Sequence, residues 1–160
     1  MKNRNLLHSD NWETPPDLYE ELDSLFDFDF DPCPLNLEKI LPENDGLLIE
    51  WGERNFINPP YSRTLKEAFV KRAIHFKLLG KLSIMLLPVS TSTVLFHDII
   101  LPNESHIKFL RRRVPFIGIN TKGEYVNWHL SKRAAPPGVV HVKNSGMHDS
   151  MLVKFDGRPQ

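Results

Sequence analysis

The chain has little of what staples, anchors or exports a protein. Cys33 is the only cysteine in 160 residues, so no disulfide can form within the chain. No apolar run approaches the roughly 18 residues of a membrane span. Behind Met1-Lys2-Asn3-Arg4-Asn5 no apolar stretch is long enough for a signal peptide. A cytoplasmic protein is therefore expected, and the sequon Asn103-Glu104-Ser105 is read as chance. The seven histidines show no metal-ligand spacing, so no metal is expected. Gly80-Lys81-Leu82-Ser83 is not a phosphate loop, because position 75 is His75 and not glycine. Internal repeats and low-complexity tracts are absent. Net charge is absent too, with 20 bases against 20 acids, but the charge is unevenly placed. Residues 1–60 hold 14 acids and 4 bases, whereas residues 61–160 hold 16 bases and 6 acids. A basic second half fits a polyanionic partner, or two halves that attract each other within one domain.

What is present fits a single domain spanning 1–160, with 41% hydrophobic and 25% charged residues. Thr14-Pro15-Pro16-Asp17 predicts a helix start with Thr14 as N-cap and Pro15 at the first helical position. Phe26, Phe28 and Phe30 alternate with Asp27, Asp29 and Asp31, which predicts a strand with one buried face. The three acids also resemble a divalent-ion pattern, but the interleaved phenylalanines fit a strand better. Phe56-Ile57 predicts a short strand. Thr64-Leu65-Lys66-Glu67 reads as a capping box, followed by an apolar face of Leu65, Ala68, Phe69, Ala73, Phe76 and Leu79 and a stop at Gly80. Residues 81–88 read as a strand buried on both faces. A helix over 91–100 and strands over 105–110 and 151–155 follow. This order predicts an α/β fold with a mostly parallel central sheet flanked by helices. Residues 111–149 fit no regular element, and from 111 to 143 seven bases stand against the single acid Glu124, which marks a segment that contacts DNA or a solvated face.

Asn58-Pro59-Pro60-Tyr61 is the most informative motif. Two consecutive prolines fix two φ angles and remove two backbone donors, while their carbonyls remain acceptors. With the Asn58 oxygen they make a rigid acceptor cluster beside an aromatic face. Such a cluster suits a planar amino group. Accepting its hydrogens localises the nitrogen lone pair, and preorganised acceptors do so without reorganisation. The pattern points to methylation of an amine held against Tyr61; the alternative is a plain proline turn.

The chain resembles the small phage-type DNA N6-adenine methyltransferases. The residues that carry the resemblance are Trp12-Glu13-Thr14-Pro15-Pro16, Asp31-Pro32-Cys33, Asp45-Gly46-Leu47 with Trp51, Asn58-Pro59-Pro60-Tyr61-Ser62, Leu86-Leu87-Pro88, Phe96-His97-Asp98, Phe109-Leu110-Arg111-Arg112-Arg113 and Ser150-Met151-Leu152-Val153. The resemblance implies a Rossmann-like methyltransferase fold using S-adenosylmethionine, and a role in protecting phage DNA as in restriction-modification. It implies that Asn58, Pro59, Pro60 and Tyr61 form the catalytic loop, with Asn58 and the Pro59 carbonyl taking the amino hydrogens and Tyr61 stacking on the base. It places the cofactor against Trp12, Thr14, Pro15, Asp31, Pro32, Cys33, Asp45 and Asn58. A glycine-rich first loop is missing, and Pro34 stands where a small residue is commoner. A base inside a duplex must flip out to react, and Arg63, Arg111, Arg112, Arg113, Lys132 and Arg133 are candidates for the DNA phosphates. The same tetrapeptide also serves N4-cytosine or protein-glutamine methylation, and a silent DNA-binding module is the alternative of another class. A metal-dependent nuclease lacks an acid-x-Lys arrangement with an upstream acid.

Overall fold

The computed structural model describes residues 12–34, 40–120, 122–127, 141–142, 146 and 148–160. Helix α1 spans Pro16–Phe26, strand β1 Arg54–Ile57, helix α2 Arg63–Leu78 and strand β2 Leu82–Pro88. A helical segment follows, in π form over Leu95–Ile100 and in α form over Leu101–Asn103 (α3). Strand β3 is His106–Phe109. Three two-residue strands, β4 Gly118–Ile119, β5 Tyr125–Val126 and β6 His141–Val142, make a small separate sheet, and β7 is Ser150–Asp156.

The main sheet has the order β1-β2-β7-β3. β1 pairs parallel with β2, but β7 pairs antiparallel with both β2 and β3. Two of its three ladders are therefore antiparallel, which corrects the expectation of a mostly parallel sheet. The cause is one reversed strand in the middle. β3 is antiparallel to β7, so β3 runs in the same direction as β1 and β2. The α/β class itself holds.

The buried β2 follows from its near-continuous apolar run. Met85 and Leu87 face one core with Phe69, Val70, Ala73 and Phe76 of α2 and Phe96 and Ile100 of the π segment. Leu82, Ile84 and Leu86 face a second core with Leu22 of α1, Phe56 and Phe116. Alternate residues thus serve opposite faces, as a sheet covered on both sides requires.

Three local expectations shift. Helix α1 starts one residue late, with Pro15 as N-cap in an extended conformation (ψ 137°) and no side-chain cap. Pro16 disfavours helical geometry at the residue before it, so the first helical position falls to Pro16. Helix α2 starts at Arg63 with Ser62 as N-cap, again without a side-chain cap, and Glu67 pairs with Lys71 instead (2.8 Å). The chain from Phe26 to Asp31 is not a strand. Phe26 ends α1, Asp27 turns left-handed (φ 52°) and only Phe30 bridges to Asn55, in parallel. The alternation does survive in burial, since the three phenylalanines are half-buried and Asp27 and Asp29 exposed. At the far end of α2, Leu79 is exposed rather than part of the apolar face, because it is the C-cap. Gly80 does end the helix (φ 84°), with its N–H on the Lys77 carbonyl and the Lys81 N–H on Phe76. That is the paired closure of a Schellman motif.

Candidate active site

β1 and the Phe30 bridge run the same way, so Asn58 and Asp31 both emerge at the carboxyl end of the sheet. An open cleft of ≈ 530 Å³ lies there, lined by Glu13, Thr14, Pro16, Tyr19, Asp31, Cys33, Pro34, Phe56 and Asn58. Open α/β sheets bind ligands outside these strand ends. The cleft thus brings together four of the anticipated residues, Thr14, Asp31, Cys33 and Asn58.

Pro59 and Pro60 are buried and, lacking N–H groups, end the β1 ladder. One residue past the last β1–β2 pair, Ile57↔Met85, the Leu86 carbonyl accepts the Tyr61 hydroxyl (3.0 Å). Phe116 meets the Tyr61 ring edge-on at 5.9 Å, and His148 lies 5.5 Å away. The ring is therefore fixed at both its tip and its side, and burial raises the hydroxyl pKa. Asn58 donates through Nδ2 to the Trp12 carbonyl (2.9 Å). That bond sets the amide so that Oδ1 is left as an acceptor. Among the described residues neither Asn58 Oδ1 nor the Pro59 carbonyl accepts a hydrogen bond.

Trp12 itself is half-buried against the second core, and Glu13 forms an antiparallel bridge with Ile117. Two backbone bonds, of 2.7 and 3.0 Å, hold residues 12–14 over the strand ends. Pro15 is buried behind the cleft.

Asp31 is the charged group of the cleft floor. Its Oδ1 accepts the Cys33 N–H at 2.7 Å. Burial pushes its carboxyl up to about 6 against that hydrogen bond, with no cation to offset it. Its two neighbours differ. Asp27 pairs with the Arg54 guanidinium (3.2 Å) and Asp29 Oδ1 accepts the Arg54 N–H (2.9 Å).

Pro32 is buried, and the 45–49 turn packs directly on it. A Cβ placed on Gly46 would lie 2.1 Å from the Pro32 carbonyl oxygen. Trp51 Nε1 holds the Gly46 carbonyl at 2.7 Å while its ring stacks on Phe76 and Phe69. Asp45 is buried and does not line the cleft. Its Oδ1 accepts the Leu47 N–H, and its carbonyl accepts those of Leu48 and Ile49. Asp45, Gly46 and Trp51 thus brace the Asp31–Cys33 loop from behind.

The family model for DNA N-6-adenine-methyltransferase (Dam) matches residues 3–131. The chain belongs to this family. The methyltransferase takes its methyl group from S-adenosylmethionine and delivers it to adenine N6 in DNA. No curated protein and no solved structure matches it. Among the described residues of the methyltransferase, no helix is long and apolar enough to cross a membrane. Nor do they contain a group of three or more His, Cys, Asp or Glu placed to hold a metal.

The methyltransferase carries Arg63 exposed at the start of α2, beside the Asn58–Tyr61 loop. Arg111, Arg112 and Arg113 are exposed just past the end of β3, and the sheet directions put them at the same end as Asn58. Arg113 is within 3.5 Å of Asp149. Lys132 and Arg133 lie outside the described residues. Glu13, Pro16, Tyr19, Pro34 and Phe56 also line the cleft, and none of them was given a site role from sequence. Phe56 was findable, since alternate strand residues share a face and Asn58 lies two residues on. Tyr19 needs the tertiary structure, because only packing on Phe56 (5.2 Å, 78°) and Phe28 turns its ring toward the cleft.

Proposed function

We propose that the cleft between Thr14, Asp31 and Asn58 holds S-adenosylmethionine, and that Asn58 and Pro59 receive the adenine amino group. The observation that carries this reading is the Trp12–Asn58 hydrogen bond. It commits the amide nitrogen to the chain and turns the oxygen into the available acceptor, as an NH2 substrate requires. The cleft suits the cofactor on its own chemistry. Its volume falls in the range of small-molecule sites, its walls include Tyr19 and Phe56, and Asp31 is a desolvated carboxyl without a cation. A positively charged ligand group would supply that missing partner. S-adenosylmethionine brings an electrophilic methyl group on a sulfonium. The chain's part is to position and to accept. Asn58 Oδ1 and the Pro59 carbonyl draw the amino hydrogens and localise the lone pair on nitrogen. Tyr61, held by Leu86 and Phe116, offers a fixed aromatic wall for a base flipped from the stack, where stacking contributes roughly 1–3 kcal/mol. No strong base is needed, because the amine becomes acidic as the new bond forms.

The topology supports a Rossmann-like reading of the fold. Three strands run one way, α2 crosses over from β1 to β2, and only β7 is reversed. Adenine in DNA is favoured over cytosine and protein glutamine by the family match.

Nucleoside mass spectrometry tests the site. Wild-type enzyme, S-adenosylmethionine and unmethylated DNA should yield N6-methyladenine, and Asn58→Ala should lower the rate by ~10²–10³-fold, the usual loss for a removed transition-state partner. An Asn58→Ala enzyme that methylates adenine at the wild-type rate would show that the chemistry lies elsewhere.

A further inference from the structure

Helix α2 begins one residue after the Asn58–Tyr61 loop's Ser62 cap and carries five cations. Three of them are engaged. Lys71 pairs with Glu67 at 2.8 Å, Arg72 lies over the Phe76 ring at 4.7 Å, and Lys77 donates to the Asn103 carbonyl at 2.6 Å. The other two, Arg63 and Lys66, have no ion-pair or hydrogen-bond partner among the described residues. Both occupy the first turn, three residues apart and so on one face of the helix. The first turn contains no acid. Cations there oppose the helix dipole and lower stability. Arg63 lies within electrostatic reach of Glu67 one turn on, without an ion pair or hydrogen bond, whereas Lys66 has no acid acting on it. Both stand at the end of the helix where a cation is least favoured, beside the Asn58–Tyr61 loop.

Lys66 is the more telling of the two. It is only partly exposed, and it lines a small pocket with Leu87 and Pro88 at the end of β2, Ser90 and Thr93 in the following loop, and Leu95 and Phe96 of the π segment. Burial depresses its ammonium, with no carboxylate acting against that shift. Of that loop only Ser90 and Thr93 line the pocket, and the Thr93 hydroxyl accepts the Phe96 N–H and donates to the Ser90 carbonyl. The other lining residues are apolar or neutral, so the pocket itself supplies no counter-charge for the ammonium.

We propose that Lys66, with Arg63 beside it, binds one phosphodiester of the DNA strand that carries the target adenine. The inference rests on the reading of Asn58–Tyr61 as the loop that receives the base. Lys66 stands five residues past Tyr61 at the same end of the sheet, so its phosphate lies next to the flipped nucleotide. Lys66 is a positioning residue. It holds the backbone so that the base can leave the stack, and it takes no part in the methyl transfer.

The test is a salt titration. Binding of a fluorescent duplex of mixed sequence to the full-length enzyme is measured by anisotropy between 50 and 300 mM NaCl (about the range in which counterion release is resolved). One phosphate contact adds about 0.9 to the slope of log K against log salt. Lys66→Met should therefore give a slope shallower by about 0.9 and weaken binding several-fold at physiological salt. Lys66→Arg should restore the slope, because it restores the charge. Affinity for S-adenosylmethionine, measured by calorimetry, should not move in either variant, which shows that both are folded. An unchanged slope in Lys66→Met overturns the proposal, and so does weaker binding with an unchanged slope, which would make Lys66 a packing residue. The readout does not involve turnover. If Asn58→Ala retains methylation while Lys66→Met lowers the slope, the catalytic assignment fails and the phosphate site stands.

Discussion

Asp27, Asp29 and Asp31 share a sequence pattern and have different fates. Arg54 takes the first two, one through its guanidinium and one through its backbone N–H. Asp31 alone turns into the cleft, where burial raises its carboxyl from 3.8 to about 6. The folded chain therefore holds this proton more tightly than the unfolded chain, and stability declines as pH rises from about 4 to about 6. The displacement corresponds to ~3 kcal/mol of stability that is present below pH 4 and lost above pH 6. Asp31→Asn keeps an oxygen for the Cys33 N–H and removes the charge. Urea denaturation at pH 7.5 should find the ligand-free variant ~1–3 kcal/mol more stable than wild type, with the difference vanishing near pH 4. Its affinity for S-adenosylmethionine should fall at the same time. Greater stability with weaker cofactor binding is the signature of a residue kept for function. A variant no more stable than wild type at pH 7.5 would remove the ground for calling this carboxyl unpaired.

Among the elements, legibility followed the range of the interactions that fix them. β2 and β7 could be read because an apolar run or alternation is a local record of burial, and the end of α2 because Gly80 supplies the left-handed turn. The loop after β1 could be read because two prolines stop a ladder wherever they occur. The direction of the sheet could not be read. It depends on β7 inserting between β2 and β3, a pairing of residues from 42 (Phe109 and Met151) to 74 (Leu82 and Asp156) positions apart that leaves no local trace. The role of Asp45 and Gly46 was hidden for the same reason. Nothing near them in sequence says that Gly46 touches Pro32. That contact makes a sharp prediction. Gly46→Ala would place a methyl inside the Pro32 carbonyl, and since backbone faces backbone there is no side chain to swing away. We expect a loss of ~2–3 kcal/mol, at the upper end for overpacking. Cofactor affinity should drop too, because the displaced loop carries Asp31 and Cys33. Calorimetry showing wild-type affinity in a folded Gly46→Ala enzyme would mean that the turn does not brace the cleft.

At the scale of the whole molecule, few of the described ion pairs join the two halves of opposite charge. Among the described ion pairs only those of Lys81, with Glu50 at 3.1 Å and Glu53 at 3.8 Å, cross from one half to the other. Arg54, Lys71, Arg113 and Arg158 pair within their own half. Among the described pairs, mutual attraction thus accounts for one buried lysine, and on the proposed reading the remaining asymmetry sorts by ligand. The acidic half contributes Glu13 and Asp31 to the cleft proposed to hold the cofactor, and the basic half brings Arg63, Arg111 and Arg112 to the same end of the sheet, where the proposed DNA partner would lie. The three consecutive arginines then separate by neighbour. Arg111 and Arg112 are exposed without a described partner, whereas Arg113 has Asp149 at 3.5 Å and would trade one anion for another on binding. Arg111→Ala and Arg112→Ala should each flatten the salt dependence of DNA binding by up to about 0.9 in log–log slope. Arg113→Ala should flatten it less, and Asp149→Asn should steepen it by freeing that cation. Equal effects from all three arginines would show that the Asp149 pair is too exposed to hold Arg113 back, as many surface pairs are. No effect from any of them would move the DNA track off this end of the sheet.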